Sequence, residues 1–190
     1  MLDRPRHQVR EELASDGVVR VAAVVFPKGG NVDAIFGEVA RRLEVRGIPV
    51  AGLLQEAVPD ADPDCCPPML VRDLAAGRHF TISEDRGREA RGCRLDWDAL
   101  TRIAEQTRAA LRSGARLLLV NRFGKAETAG RGLRDSIELA IETGIPVLVG
   151  VRDEYVGDWA EFHGGLAVDL PAHEEDVLAW VMAACDIRET

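Results

Sequence analysis

Hydrophobic positions along this chain alternate between short unbroken runs and stretches spaced three or four residues apart. The first run extends from Val18 to Phe26, interrupted only by Arg20. A valine-rich run of this kind suits a strand covered on both faces, as in a parallel sheet with helices on either side, and a central strand is predicted there. Pro27, Lys28, Gly29, Gly30 and Asn31 follow. Then Val32, Ile35, Phe36, Val39, Ala40 and Leu43 recur at helical spacing, with Arg41, Arg42 and Glu44 turned outward. Gly29 and Gly30 let backbone approach a ligand closely, and Asn31 is placed to cap the first helical turn. Free amides at such a helix start attract anions, which makes this turn a candidate phosphate or oxyanion site.

The same punctuation returns along the chain. A helical pattern stops at Gly47 before the run from Ile48 to Leu54, at Gly114 before the run ending at Val120, and at Gly144 before the run ending at Val149. Helix, glycine stop and apolar strand, three times over, is the rhythm of a repeated βα architecture with parallel strands. The fold class predicted is α/β: three layers around a mostly parallel sheet. Residues 1–17 are polar and read as a flexible tail, and 18–190 as one domain. Residues 69–83 break the rhythm with two short strands around Gly77, an inserted β-hairpin. Asp96 is placed to cap a helix burying Leu100, Ile103, Ala104, Thr107 and Leu111. A last short strand from Leu166 to Leu170 and a helix carrying Val177, Leu178 and Val181 complete the chain.

Charge narrows the partners. A net charge of -8 opposes general binding to nucleic acid, whose phosphates the summed field repels. No segment has the apolar length of a membrane span and the amino-terminal residues lack a signal-peptide core, so a cytoplasmic protein is expected. Of the 24 basic residues only Lys28 and Lys125 are lysines, and each falls in a glycine-bearing loop after a strand. In an open parallel sheet, ligands gather outside the carboxyl ends of the strands, where such loops converge. A compact ammonium there suits a point contact to an oxyanion, and solvation is the simpler alternative.

The second loop is the richer one. Asn121 stands at the strand end, Lys125 and Glu127 follow, and Arg131 and Arg134 lie three apart near the next helix start. On one helix face the two arginines would form an anion clamp; otherwise they pair with Glu127 and Asp135 on a solvated helix start. Glu127 is the candidate general base toward water. Tyr155, Trp159 and Phe162 offer faces for base stacking or simply pack a short helix. His163 is the one histidine beside a glycine loop, with a structural role as the alternative. Cys65 and Cys66 are adjacent rather than spaced C-x-x-C; with Cys93 they could serve a metal or redox site, or stand as reduced thiols. The segment from Glu84 to Arg94, rich in arginine and glycine, has the composition of a loop able to close over a site.

Several of these stretches together resemble a bacterial family of small domains of unknown function, described as nucleoside-triphosphatase-like and found beside molybdenum uptake genes. The carriers are Ala23 to Asp33, Leu74 to Gly77, Ile82 to Asp85, Arg91 to Asp96, and Val120 to Arg134. More distantly the layout is similar to the P-loop nucleoside triphosphatases, with a first strand and glycine loop and a later strand ending where a metal-linked carboxylate belongs. The departures are specific. A working phosphate loop places lysine and a hydroxyl at the helix start; here Lys28 precedes Gly29 and Gly30, and Asn31, Val32 and Asp33 fill those positions. Asn121 replaces the acidic residue that organises magnesium.

The resemblance therefore implies a P-loop-like domain that binds a nucleotide or small oxyanion, molybdate among them, with degenerate or no hydrolysis. The ligand residues would be Lys28, Gly29, Gly30, Asn31, Asn121, Lys125, Arg131 and Arg134, with Glu127 as a remnant catalytic carboxylate. Magnesium would accompany a nucleotide. Two alternatives stand beside it: an active magnesium-dependent nucleoside triphosphatase, and a noncatalytic interaction or sensor module in molybdenum homeostasis. Either would admit a second copy of the chain or a molybdenum-related protein as partner.

Overall fold

A computed structural model of the chain describes residues 20–27, 30, 32–58, 68–84 and 94–187. The predicted tail, Lys28, Gly29 and Asn31, residues Cys65, Cys66 and Cys93, and the loop residues 85–93 lie outside the described residues. Strand β1 (Val21–Phe26) leads to helix α1 (Asp33–Val45), then β2 (Val50–Glu56), β3 (Leu70–Asp73), β4 (His79–Thr81) and the two-residue strands β5 (Ser83–Glu84) and β6 (Arg94–Leu95). Next come α2 (Trp97–Arg112), β7 (Leu117–Phe123), the single turn α3 (Lys125–Thr128), α4 (Arg134–Glu142) and β8 (Val147–Arg152). A 3₁₀ turn (Asp153–Tyr155), α5 (Val156–His163), β9 (Ala167–Leu170) and α6 (Glu174–Ala184) follow.

Seven strands make one sheet in the order β4-β3-β2-β7-β8-β1-β9. Strands β2, β7, β8, β1 and β9 run parallel, while β3 and β4 are antiparallel at one edge. The predicted hairpin is thus part of the main sheet, because β3 pairs with β2 as well as with β4. A separate two-strand ladder pairs β5 with β6. β1 is buried on both faces as expected but stands one place from the edge, between β8 and β9. Double burial requires helices above and below a strand, and that condition does not fix its place across the sheet.

The sheet separates two apolar layers. On one face Ala22, Val24, Leu117, Leu119 and Leu148 pack on Phe36, Val39 and Leu43 of α1 and on Val177, Trp180 and Val181 of α6. On the other, Ala23, Leu53, Leu118, Val120 and Val149 meet Leu100, Ile103 and Leu111 of α2, Ile137 and Ala140 of α4, and Trp159 of α5. Alternate residues of each strand supply alternate layers, as the two-residue period of a strand requires. The three glycine stops all have positive φ, at +66° for Gly47, +101° for Gly114 and +70° for Gly144. Each ends a helix in a conformation that other residues adopt only with strain. Asp96 caps α2 as expected, accepting from the Ala99 amide at 2.9 Å, and all five predicted apolar-face residues of that helix are buried.

Candidate functional site

The carboxyl ends of the strands carry the chain's one irregular ladder among the described residues. β7 and β8 run in register up to Val120 opposite Val149 and resume at Phe123 opposite Val151, so Asn121 and Arg122 together face Gly150. Two residues against one is a β-bulge, which re-aims side chains. Gly150 makes room for it, since a Cβ there would run into the carbonyl oxygen of Asn121. Neighbouring residues of a regular strand point to opposite faces; here both turn toward the start of α1. Asp33 accepts a hydrogen bond from Asn121 Nδ2 at 2.9 Å and from Arg122 Nη2 at 2.9 and 3.2 Å. The other end of the Asn121 amide, Oδ1, accepts from the Gln55 backbone amide of β2 at 3.0 Å. Only oxygen can accept from that N–H, so the amino group of Asn121 must face Asp33. Arg122 lies over the Phe26 ring at 6.0 Å, and its Nε is buried with no hydrogen-bond partner among the described residues.

The loop after β7 is braced from inside. Glu127 is buried, with one carboxylate oxygen accepting from the Gly124 amide at 3.1 Å and the other from the Leu133 amide at 3.0 Å. The first of these ties the start of α3, as a capping-box glutamate does. The second spans the loop to α4. A Cβ on Gly132 would strike Glu127 Oε1, so the glycine lets the chain fold closely over the carboxylate. Burial pushes the Glu127 carboxyl up from its ordinary value of 4.5, while the Leu133 and Gly124 amides pull it down. Buried and held by two backbone donors, the Glu127 carboxylate braces the loop.

Between this loop and the edge of the sheet lies a cleft of about 720 Å³. Its floor is apolar, from Leu53, Val71, Leu95, Leu100 and Leu133, with Trp97 at its side. Its rim is polar: Gln55, Asn121, Arg122, Lys125, Arg152 and Tyr155. Lys125 is exposed and makes no ion pair among the described residues. Arg152 pairs with Glu154 at 3.0 Å and sits over Tyr155 at 5.8 Å. A chain of net charge -8 thus brings three cations to one opening at the carboxyl ends of its strands.

Of the predicted site residues, the structure gathers Asn121, Lys125 and Glu127 around this cleft. Gly30 belongs to the first turn, where its amide donates to the Pro27 carbonyl at 2.8 Å and is therefore used within the turn. Lys28, Gly29 and Asn31 are outside the described residues. The two arginines of the expected clamp do not converge. Arg131 precedes α4 and lies over Trp97 at 4.9 Å, whereas Arg134 opens α4, lies over Phe162 at 4.6 Å and pairs with Glu138 at 3.2 Å. Asp135 pairs instead with Arg108 at 2.9 Å. Trp159 is buried against Phe123 and Phe162, and His163 Nδ1 accepts from the amides of Gly165 and Ala167, so both do structural work. Tyr155 alone of that aromatic group reaches the cleft. Asp33 is noted in the sequence only as filling a phosphate-loop position, and Arg122 and Arg152 are not singled out there; the one signal for Arg122 is a charged residue at the end of an apolar run. No group of three or more metal-ligating side chains occurs among the described residues, and no described helix is long and apolar enough to cross a membrane.

The sheet order, the flanking helices and a polar cleft at the strand ends define a three-layer α/β domain around a mostly parallel sheet. It shares its fold with THEP1 from the hyperthermophile Aquifex aeolicus, at a TM-score of 0.60 and 14% identity over 85% of this chain and 98% of that one. A human cancer-related nucleoside triphosphatase superposes at a TM-score of 0.58 and 16% identity, over 85% of this chain and 93% of the other. The chain belongs to the family described as "Protein of unknown function (DUF2478)", which matches residues 21–180. It is also 32% identical over 161 residues to the molybdenum import ATP-binding protein ModC 2 of Bradyrhizobium diazoefficiens. That match takes in 85% of this chain and 18% of the relative, so most of the relative has no counterpart here.

Proposed function

We propose that this domain binds a phosphate-bearing nucleotide or a small oxyanion in the cleft at the carboxyl ends of β2 and β7, without efficient hydrolysis. The observation that carries the reading is the set of cations at the rim, above an apolar floor: Lys125, without an ion pair among the described residues, and Arg122, its Nε buried with no hydrogen-bond partner among them. Small-molecule sites combine such an apolar body with a few convergent polar groups. Lys125 takes the anion as a point charge and Asn121 fixes the strand end behind it; a role for Lys28, Gly29 and Asn31 in holding the anion rests on the sequence alone. Arg131 and Arg134 contribute field rather than contact, since each guanidinium rests on a ring. Glu127 braces the loop, and its enclosure is why turnover is not expected. The relative named as a molybdenum import ATP-binding protein supports the nucleotide reading.

A thermal-shift series tests this, with ATP and GTP, with and without magnesium, against molybdate, tungstate, sulfate and phosphate at matched ionic strength. A ligand bound only by the folded state raises the midpoint with its concentration. Lys125→Ala should weaken the effective ligand about tenfold, the loss of roughly 1.4 kcal/mol expected for one charge-assisted contact. A midpoint indifferent to every anion contradicts the proposal.

A further inference from the structure

We propose that the charge a divalent metal supplies at the strand end of this fold is supplied here by the guanidinium of Arg122, so that the site takes its phosphate or tetrahedral oxyanion free of metal. This rests on the anion-binding reading above and adds the form of the ligand. In P-loop triphosphatases magnesium is held by a hydroxyl at the helix start and a carboxylate at the strand end. The described residues do not fit that ion. Asn121 at the strand end has its only oxygen on the Gln55 amide and presents its amino group toward Asp33. Asp33, in the first turn of α1, already receives that amino group and two contacts from Arg122 Nη2. Both oxygens of Glu127 hold backbone amides. A cation arriving here would meet a guanidinium and an amide donor, the wrong sign in both cases.

An anion would meet the opposite. Asp33 neutralises one edge of the guanidinium, while Arg122 lines the cleft and its Nε is buried without a hydrogen-bond partner among the described residues, and a buried donor of that kind calls for an acceptor. Planar guanidinium is the side chain best matched to phosphate oxygens. The bulge opposite Gly150 is what brings it round, because a regular strand would send Arg122 and Asn121 to opposite faces. The recognised chemistry is a tetrahedral oxyanion, carried by a nucleotide or free. The apolar cleft floor distinguishes the two sources.

The test couples manganese titration, read by the electron paramagnetic resonance of the free ion, to thermal shifts with ATP and with tungstate in chelator or in magnesium. The wild-type protein should bind no stoichiometric manganese, and its anion shifts should be as large in chelator as in magnesium. Arg122→Gln should weaken the anion at least tenfold in either buffer. Arg122→Glu, placing a carboxylate beside Asp33, should gain manganese binding; if that variant does not fold, the glutamine variant still reads the anion arm. Stoichiometric manganese on the wild type that disappears in Asp33→Asn, or a shift that needs magnesium, overturns the proposal. If no anion shifts the wild type, the anion-binding reading fails as well, whereas manganese bound beside a normal anion shift defeats only the metal-free assignment. A shift with ATP and none with tungstate identifies the nucleotide as the source, and the reverse identifies the free oxyanion.

Discussion

Two carboxylates stand at the carboxyl end of the sheet and are used in opposite ways. Asp33, at the start of α1, is partly exposed and receives side-chain donors from β7; Glu127, after β7, is buried and receives backbone donors from its own loop. The first balances a cation beside the cleft. The second fixes the shape of the cleft wall. On the proposed reading, that difference in partners, more than the presence of acidic residues, would separate a binding site from a hydrolytic one. It also explains why a chain that lacks the usual phosphate-loop residues keeps a polar cleft where the fold places ligands.

The comparison breaks most severely at Gly150. Gly150→Ala would drive a methyl into the Asn121 carbonyl and undo the bulge on which Asp33 depends. A loss of about 3 kcal/mol in urea unfolding is expected, the upper range for overpacking against backbone. Next is Glu127→Ala, which strands the Gly124 and Leu133 amides; about 2 kcal/mol should be lost, as for buried donors without acceptors. Glu127→Gln keeps an acceptor and sharpens the point through pH. Because burial raises the Glu127 carboxyl, the folded chain holds its proton to higher pH than the unfolded chain. The stability this contributes is full below 4.5 and is lost as pH rises through the raised value. Unfolding midpoints measured across that window should show the decline in wild type and a flatter profile in the glutamine variant.

Smaller effects belong to the Asp33 side. Arg122→Gln should cost about 1 kcal/mol or less, since the pair is partly exposed, while changing anion affinity far more than stability. Lys125→Ala should alter stability by less than about 0.5 kcal/mol, being an exposed residue without an ion pair among the described residues, yet still weaken the anion. Stability losses for the rim cations matching those at Gly150 would show that the rim is structural and erase the distinction.

The fold was largely legible in the sequence because its signals are local. Glycine at the end of an amphipathic helix and valine runs buried on both faces predict βα units without knowledge of the sheet order, and Asp96 announces α2 by its own hydrogen bond. The position of β1 near an edge was not legible, since burial does not encode neighbours. Lys125 and Asn121 could be picked out because one follows an apolar run and the other ends it. Arg122 could not, because its direction depends on a bulge set by Gly150 on another strand. The spacing of Arg131 and Arg134 misled for a related reason: three residues apart implies one helix face only inside a helix, and Gly132 at φ +63° keeps Arg131 out of α4.

The most direct test of the account is the side-chain Nε–H resonance of Arg122 in heteronuclear NMR spectra, assigned by its loss in Arg122→Lys and followed during titration with ATP in chelator. The account predicts a saturable displacement of that resonance in step with the backbone amides of Lys125 and Asn121. Saturable binding that moves other regions of the protein and leaves the Arg122 resonance where it stands would contradict it.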